Sequence, residues 1–210
     1  MHTIFNISSI AFTVLGYDVS YIELIGTLAG LLSVWFGTKN HILYWYIGLV
    51  NVLSFLVIFF QLQLYADTLL QGIYLCITVY GIISWRREKQ ETLITNLTLR
   101  ESGLWIAFSA ILLVFFYHFA TNLNLFFPYA SIKSASFALL DSTLSAFSVT
   151  ATILIAKRKI EAWLIWIAVD FASVLLYLQK SVLFIAIEYG IFALLAVQGY
   201  VLWRRMTQKP

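Results

Sequence analysis

Seven apolar stretches, each close to the roughly 20 residues that a helix needs to cross a bilayer, constrain this chain more than any other feature. They run from Tyr21 to Thr38, Ile42 to Phe60, Ala66 to Trp85, Ser102 to Phe119, Ala135 to Ala156, Ala162 to Leu178 and Ser181 to Trp203. The runs are continuously apolar rather than alternating, and a helix satisfies its own backbone hydrogen bonds in lipid, so each reads as a helix. Charged residues make up 11% of the chain, against about 25% in a soluble domain. A water-soluble globule is excluded, and the expected fold is an all-α polytopic membrane protein.

The basic residues orient it. Lys39, Arg86, Arg87, Lys89, Arg100, Lys157, Arg158, Lys159, Arg204, Arg205 and Lys209 fall on one side of the seven spans, and only Lys133 and Lys180 on the other. Cytoplasmic loops collect Lys and Arg, so the N-terminus is expected outside and the C-terminus in the cytoplasm, in a bacterial inner membrane. The formal charge of +3 is accounted for by these span-end residues, which leaves nucleic acid without a binding face. Met1 to Ser20 lacks a basic n-region and a small-residue cleavage site, and reads as an interfacial helix or an extracellular lead-in rather than a cleaved leader. The single cysteine, Cys76, lies within an apolar run and is expected as a small buried residue.

An ungapped shift of 118 residues aligns the chain with itself. It pairs Lys39 with Lys157, Trp45 with Trp163, Gln61 with Gln179, Gly72 with Gly190, Gly81 with Gly199, and Trp85-Arg86-Arg87 with Trp203-Arg204-Arg205. Matches of Trp, Gln, Gly and Arg carry more weight than matches of Leu or Ile. Spans one to three then correspond to spans five to seven, a three-one-three plan. Residues 1–20 form the lead-in, 21–87 the first three-helix repeat, 88–134 a linker with the fourth span, 135–205 the second repeat, and 206–210 a tail. The shift covers four spans, so both copies face the same way. Parallel repeats of this kind are characteristic of transporters with a midplane site between the halves, although a duplicated bundle also serves as a scaffold.

Ionisable groups inside lipid cost roughly 2.5 to 3.5 kcal/mol near a helix centre, and Asp170 and Glu188 are the clear cases. No Lys or Arg occurs at their depth, which leaves protonation, a polar neighbour or a cationic ligand to offset the cost. Trp163, Trp166 and Asp170 at i, i+3 and i+7 share a helical face. Trp45 and Asn51 are their near-counterparts in span two. Indoles beside a carboxylate suit a flat, positively charged ring, by stacking and cation–π attraction. Trp at a span end also serves as an interfacial anchor, the reading given to Trp35, Trp85, Trp105 and Trp203. Asp67, Gln71 and Tyr74 form a polar stripe at i, i+4 and i+7, with Tyr189 the repeat mate of Gln71. These groups suit the hydroxyls of a sugar or alcohol, while Asp67 also fits a helix cap. Glu23 and Asp141 pair across the repeat at the outer span ends. The expected substrate-binding set is Trp45, Asn51, Gln71, Tyr74, Trp163, Trp166, Asp170, Glu188 and Tyr189.

At Trp45-Tyr-Ile-Gly48-Leu-Val-Asn51, Leu64-Tyr65-Ala66-Asp67 to Tyr74, Arg158 to Asp170, and Gly199-Tyr200-Val-Leu-Trp203, the sequence resembles the PnuC-type nicotinamide riboside transporters. The resemblance runs from about Glu23 to Arg204 and is weakest over span four. It implies two three-helix bundles passing nicotinamide riboside down its gradient, without ion or ATP coupling, with a cytoplasmic kinase trapping the product. By motif it places Trp45, Asn51, Gln71, Trp163, Trp166 and Asp170 in the binding face. This sequence departs from the pattern at Ile82-Ile83-Ser84, Ala162 and Glu188. The extra carboxylate keeps thiamine, another flat cationic vitamin carried by relatives of the family, as the alternative. A SWEET-like sugar carrier shares the three-one-three plan but uses a proline in the first helix of each repeat, and Pro128 and Pro210 lie outside every span. An intramembrane enzyme is disfavoured because His2, His41 and His118 have no metal-ligand spacing and no nucleophile elbow occurs. A non-transporting receptor would bind ligand without uptake. No cofactor or metal is expected, and the partners are the cationic substrate, the lipid bilayer and the kinase. A homo-oligomer is compatible with the sequence.

Overall fold

The computed structural model describes residues 4–87, 93–126, 137–179 and 182–207. Its elements are β1 (Ile10–Val14), β2 (Tyr17–Ser20), α1 (Tyr21–Thr38), α2 (Leu43–Gln61), α3 (Tyr65–Arg87), α4 (Leu99–Thr121), the single-turn α5 (Leu123–Phe126), α6 (Ala138–Ala156), α7 (Glu161–Gln179) and α8 (Leu183–Thr207). All of the helices except α5 are long and apolar enough to cross a membrane, and they coincide with the seven expected spans to within about a turn. The opening residues of the expected fifth span fall outside the described residues, as do Lys89, Pro128, Lys133, Lys180, Lys209 and Pro210.

Helix α1 is built to be approached closely. Gly26, Gly30, Ser33 and Gly37 form a small-residue stripe facing Ser54, Asn51, Gly48 and Tyr44 of α2, the arrangement that lets apolar helices associate where lipid removes the hydrophobic drive. Two polar bonds lock the pair: Asn51 Nδ2 donates to Gly26 O at 2.8 Å, and Ser33 Oγ to Tyr44 O at 2.6 Å. At the start of α4, Thr98 and Glu101 close a capping box, satisfying two backbone donors that the helix itself leaves over.

Residues 118 apart meet similar surroundings. Trp45 packs on Gly81 and edge-on to Trp85 at 5.7 Å, while Trp163 packs on Gly199 and edge-on to Trp203 at 5.5 Å. Trp85 Nε1 donates to Ala156 O and Trp203 Nε1 to Gly37 O, each at 3.0 Å, so each indole crosses to the other set of three helices. Asn40 and Arg158 both take the left-handed conformation, φ 52° and 51°. Arg158 Nε donates to Asn40 Oδ1 at 3.1 Å, and its guanidinium lies 4.3 Å over the Trp85 ring. Helix α1 packs on α2 and α2 on α3, as α6 packs on α7 and α7 on α8, and the cross-contacts are α1 with α8 and α6 with α3. Helix α4 packs on α6. The bundle thus has a basic end, carrying Lys39, Arg87, Arg158 and Arg204, where the indoles pack.

Three features differ from expectation. The lead-in is neither a helix nor a plain extension: β1 and β2 form an antiparallel hairpin, with Phe12 opposite Val19 and Val14 opposite Tyr17. Its two-residue turn, Leu15-Gly16, has φ 51° and 77°, the twist-compatible geometry favoured in tight hairpins. Leu in the first position, where Asn or Asp is the usual signal, hid it. The hairpin leads straight into α1, whose cap Ser20 accepts from Glu23 N, and Gln61 at the end of α2 ties down Phe5 O and Ile7 N. The segment before α4, legible in the sequence only as part of the linker, pairs through Thr95 with the α6–α7 turn: Thr95 N donates to Arg158 O, and Ile160 N to Thr95 O, each at 3.1 Å. Cys76 is exposed on α3 rather than buried, because the small residues that α3 turns inward are Thr78 and Gly81.

Candidate substrate site

Above the packed indoles, toward the hairpin, the interior turns polar. Asp170, at mid-length of α7, is 3% exposed and makes no hydrogen bond or ion pair among the described residues. Tyr74 of α3 faces both Asp170 and Ser148 of α6. One turn further along α3, Gln71 is 9% exposed and its Oε1 is buried without a partner. On α8, Glu188 lies beside the buried Thr27 hydroxyl of α1. Tyr189 neighbours Glu188, Asp170 and Tyr74, and its ring stacks on Tyr177 at 5.4 Å.

Carboxylates gather toward the hairpin end. Tyr177 lies within electrostatic reach of Asp67, Asp141 and Glu188, and Tyr17 within reach of Glu23 and Glu188. Tyr17 donates its hydroxyl to Glu23 Oε1 at 2.7 Å and stacks on Phe184 at 5.4 Å. The hairpin therefore supplies an aromatic residue to the mouth of this acidic region. Burial against Glu23 raises the Tyr17 phenol above its ordinary pKa, so it stays a neutral donor. The spans carry no Lys or Arg between their ends. Low-dielectric walls focus the field of interior charge, and the ionisable groups here that carry charge when titrated are acids, whose ionised form favours cations.

The nine expected residues divide by position. Gln71, Tyr74, Asp170, Glu188 and Tyr189 converge in this polar interior from α3, α7 and α8. Trp166 sits a turn below Asp170 on α7, partly exposed, against the indole cluster. Trp45 and Trp163 are part of the packing core instead, 1% and 2% exposed, each seated on a glycine, with only their buried Nε1 groups left without a partner. Asn51 gives its amide to the Gly26 carbonyl and holds α2 to α1. Thr27, Ser148, Tyr177 and Tyr17 were not anticipated. The repeat did mark Thr27, since its mate is Ser145, a hydroxyl in both copies. Tyr17 had no local signal, because the hairpin brings it in. Among the described residues no three His, Cys, Asp or Glu side chains come together as a metal site.

Seven membrane-crossing helices around an acidic interior, sealed at one end by interlocked indoles, have the build of a multi-pass membrane transporter. The comparisons with known proteins agree. The family model described as nicotinamide mononucleotide transporter matches residues 20–205, and the chain belongs to that family of transporters, which are not enzymes. It is 31% identical over 207 residues to the nicotinamide riboside transporter PnuC of Escherichia coli (strain K12), covering 90% of this chain and 87% of that one. It is 22% identical to the protein of the same name from Neisseria mucosa, covering 90% of this chain and 74% of that one. Its fold resembles the crystal structure of a vitamin B3 transporter PnuC, with a TM-score of 0.66 at 21% identity, over 90% of this chain and 82% of the other.

Proposed function

We propose that this chain carries nicotinamide riboside across a bacterial inner membrane by facilitated diffusion, with a cytoplasmic kinase trapping the nucleoside as its phosphate. The observation that carries this reading is the buried Asp170, which makes no hydrogen bond or ion pair among the described residues, together with the buried, unpartnered Gln71 Oε1, with no cationic side chain at their depth. A pyridinium answers the carboxylate and ribose hydroxyls answer the amide oxygen. A phosphate would enter the same acidic interior without one Lys or Arg to receive it. The site therefore favours the riboside over the mononucleotide in the family's description, in agreement with the names of the curated relatives. Trp166 supplies the stacking face beside Asp170, with Tyr74, Glu188 and Tyr189 completing the surroundings. Trp45, Asn51 and Trp163 hold the frame and present at most one polar group each.

The basic end is assigned to the cytoplasm, which puts the N-terminus outside. Residues 21–87 and 135–205 act as two halves that move about the site, with α4 as linker, and the reciprocal Trp85 and Trp203 bonds mark where they meet. Thiamine is the second reading, favoured by Glu188, whose carboxylate offers a second station for a cation. Proteoliposomes loaded with nicotinamide riboside kinase and ATP, under no ion gradient, should accumulate the riboside saturably and ignore the mononucleotide. Accumulation of thiamine alone, with thiamine kinase enclosed, would select the second reading. Uptake of the mononucleotide would overturn both.

Trp166→Ala is expected to weaken riboside binding about 10-fold, the scale of one desolvated cation–π contact. The melting temperature should stay close to wild type, since the indole is only partly buried. An unchanged affinity in calorimetry would move the stacking face elsewhere.

A further inference from the structure

We infer that the groove between α7 and α8 at the basic end is a binding site for a phospholipid whose headgroup carries a primary ammonium. A cavity of about 380 Å³ opens there, its walls including Asn96, Glu161, Leu164, Tyr200, Arg204 and Thr207. It lies apart from the substrate site, below the Trp163–Trp203 pair, at the level where the apolar helices end.

The two charged walls are not satisfied by each other. Glu161, in the first turn of α7, accepts Leu97 N through Oε1 at 2.9 Å. Its Oε2 is buried and has no partner. The nearest ammonium in sequence, Lys159, is committed elsewhere, to Glu101 Oε1 at 3.1 Å and Asn96 O at 3.3 Å. Across the groove, Arg204 is exposed and forms no ion pair among the described residues. A buried carboxylate oxygen demands a donor, and an exposed guanidinium beside it suits a phosphodiester. One ligand with an ammonium and a phosphate a few bonds apart satisfies both walls. Leu164 is 46% exposed at the rim, and Val201, Val197 and Leu194 continue an exposed apolar track along α8 into the membrane-spanning region. The acyl chains have a path that a soluble zwitterion would not use.

Choline headgroups have no N–H to give Glu161, and glycerol headgroups bring no cation. Discrimination among lipids is therefore the readout. The full-length protein in detergent is mixed with equal amounts of phosphatidylethanolamine, phosphatidylcholine and phosphatidylglycerol of one acyl composition, and the lipids retained are counted by native mass spectrometry. Wild type should retain the ethanolamine lipid about 10-fold over the choline lipid, the worth of one charge-assisted hydrogen bond. Glu161→Gln keeps an oxygen for Leu97 N and removes the charge, and should bring that ratio near unity. Arg204→Gln, on the exposed wall, should lower retention of both. Equal retention of all three lipids by wild type overturns the proposal, as does an undiminished preference in Glu161→Gln. Displacement of the lipid by free O-phosphoethanolamine at matched concentration overturns the lipid assignment. The wild-type ratio decides the matter even where a variant fails to fold.

Discussion

Asp170→Asn should lower the affinity for nicotinamide riboside about 100-fold, a loss of about 2.7 kcal/mol, while leaving the melting temperature equal to wild type or slightly above it. Both halves of the expectation follow from one fact: the carboxylate is 3% exposed and unpaired among the described residues. An uncompensated acid in a lipid-embedded interior is a standing cost to the fold, and its removal relieves that cost. A cationic ligand loses the one charge that offset its own desolvation. The reduced riboside, whose ring is neutral, supplies the control, because its binding should change several-fold less than that of the cation. Isothermal titration with both forms, together with a thermal melt of the unliganded protein, separates the possibilities. A lower melting temperature with equal losses for the two ligands would make Asp170 a structural acid and remove the basis for a cation-binding site.

Gly199→Val should be strongly damaging at the basic end. A Cβ at that position falls 2.6 Å from the Trp163 indole, well inside van der Waals contact, and the indole is sealed against Trp203 with nowhere to swing. Overpacking of this kind typically costs about 1 to 3 kcal/mol. Here the upper end is expected, because displacing Trp163 also disturbs Trp203 and its bond to Gly37 O across the bundle. The repeat mate Gly81 sits on Trp45 in the same way, and Gly81→Val should behave alike. Gly72 and Gly190 are the controls: nothing lies within 4 Å of an added Cβ at either, so alanine there should be tolerated. Thermal melts and gel filtration in detergent read the contrast. A Gly199→Val protein that melts with wild type would show that the indoles are not locked, and with them the seal at the basic end.

The glycine pairs show where sequence reading reaches its limit. The spacing that matched Trp45 with Trp163 and Gly81 with Gly199 was visible in the chain, but its use was not. Trp followed by a carboxylate one helical turn pair later is compatible with a ligand wall and with a packing knob, since both need the same helical face. Only the neighbouring helix decides, by presenting a glycine to Trp163 and none to Trp166. Asn51 went the same way: its polarity was legible, while its bond to the Gly26 carbonyl depends on how closely α1 approaches. Asp170 and Gln71 were legible as polar groups in apolar runs, because lipid makes any such group conspicuous. Tyr17 and Tyr177 were not, since aromatic residues near membrane boundaries are common and carry no local mark of what they face.

The sequence by itself determined that the chain crosses the membrane seven times, where each crossing lies, which end is basic, and that an acid without a basic partner is buried at mid-depth. These are properties of runs and composition, enforced by the cost of exposing backbone or charge to hydrocarbon, and they need no knowledge of neighbours. The tertiary structure decided which indoles are frame and which borders the polar interior, brought the hairpin's Tyr17 to Phe184, set Thr27 against Glu188, and left Glu161 with one oxygen unsatisfied. Each of these depends on contacts between residues far apart in the chain, and close packing makes such contacts depend on distances of less than an ångström. A one-dimensional pattern does not contain them.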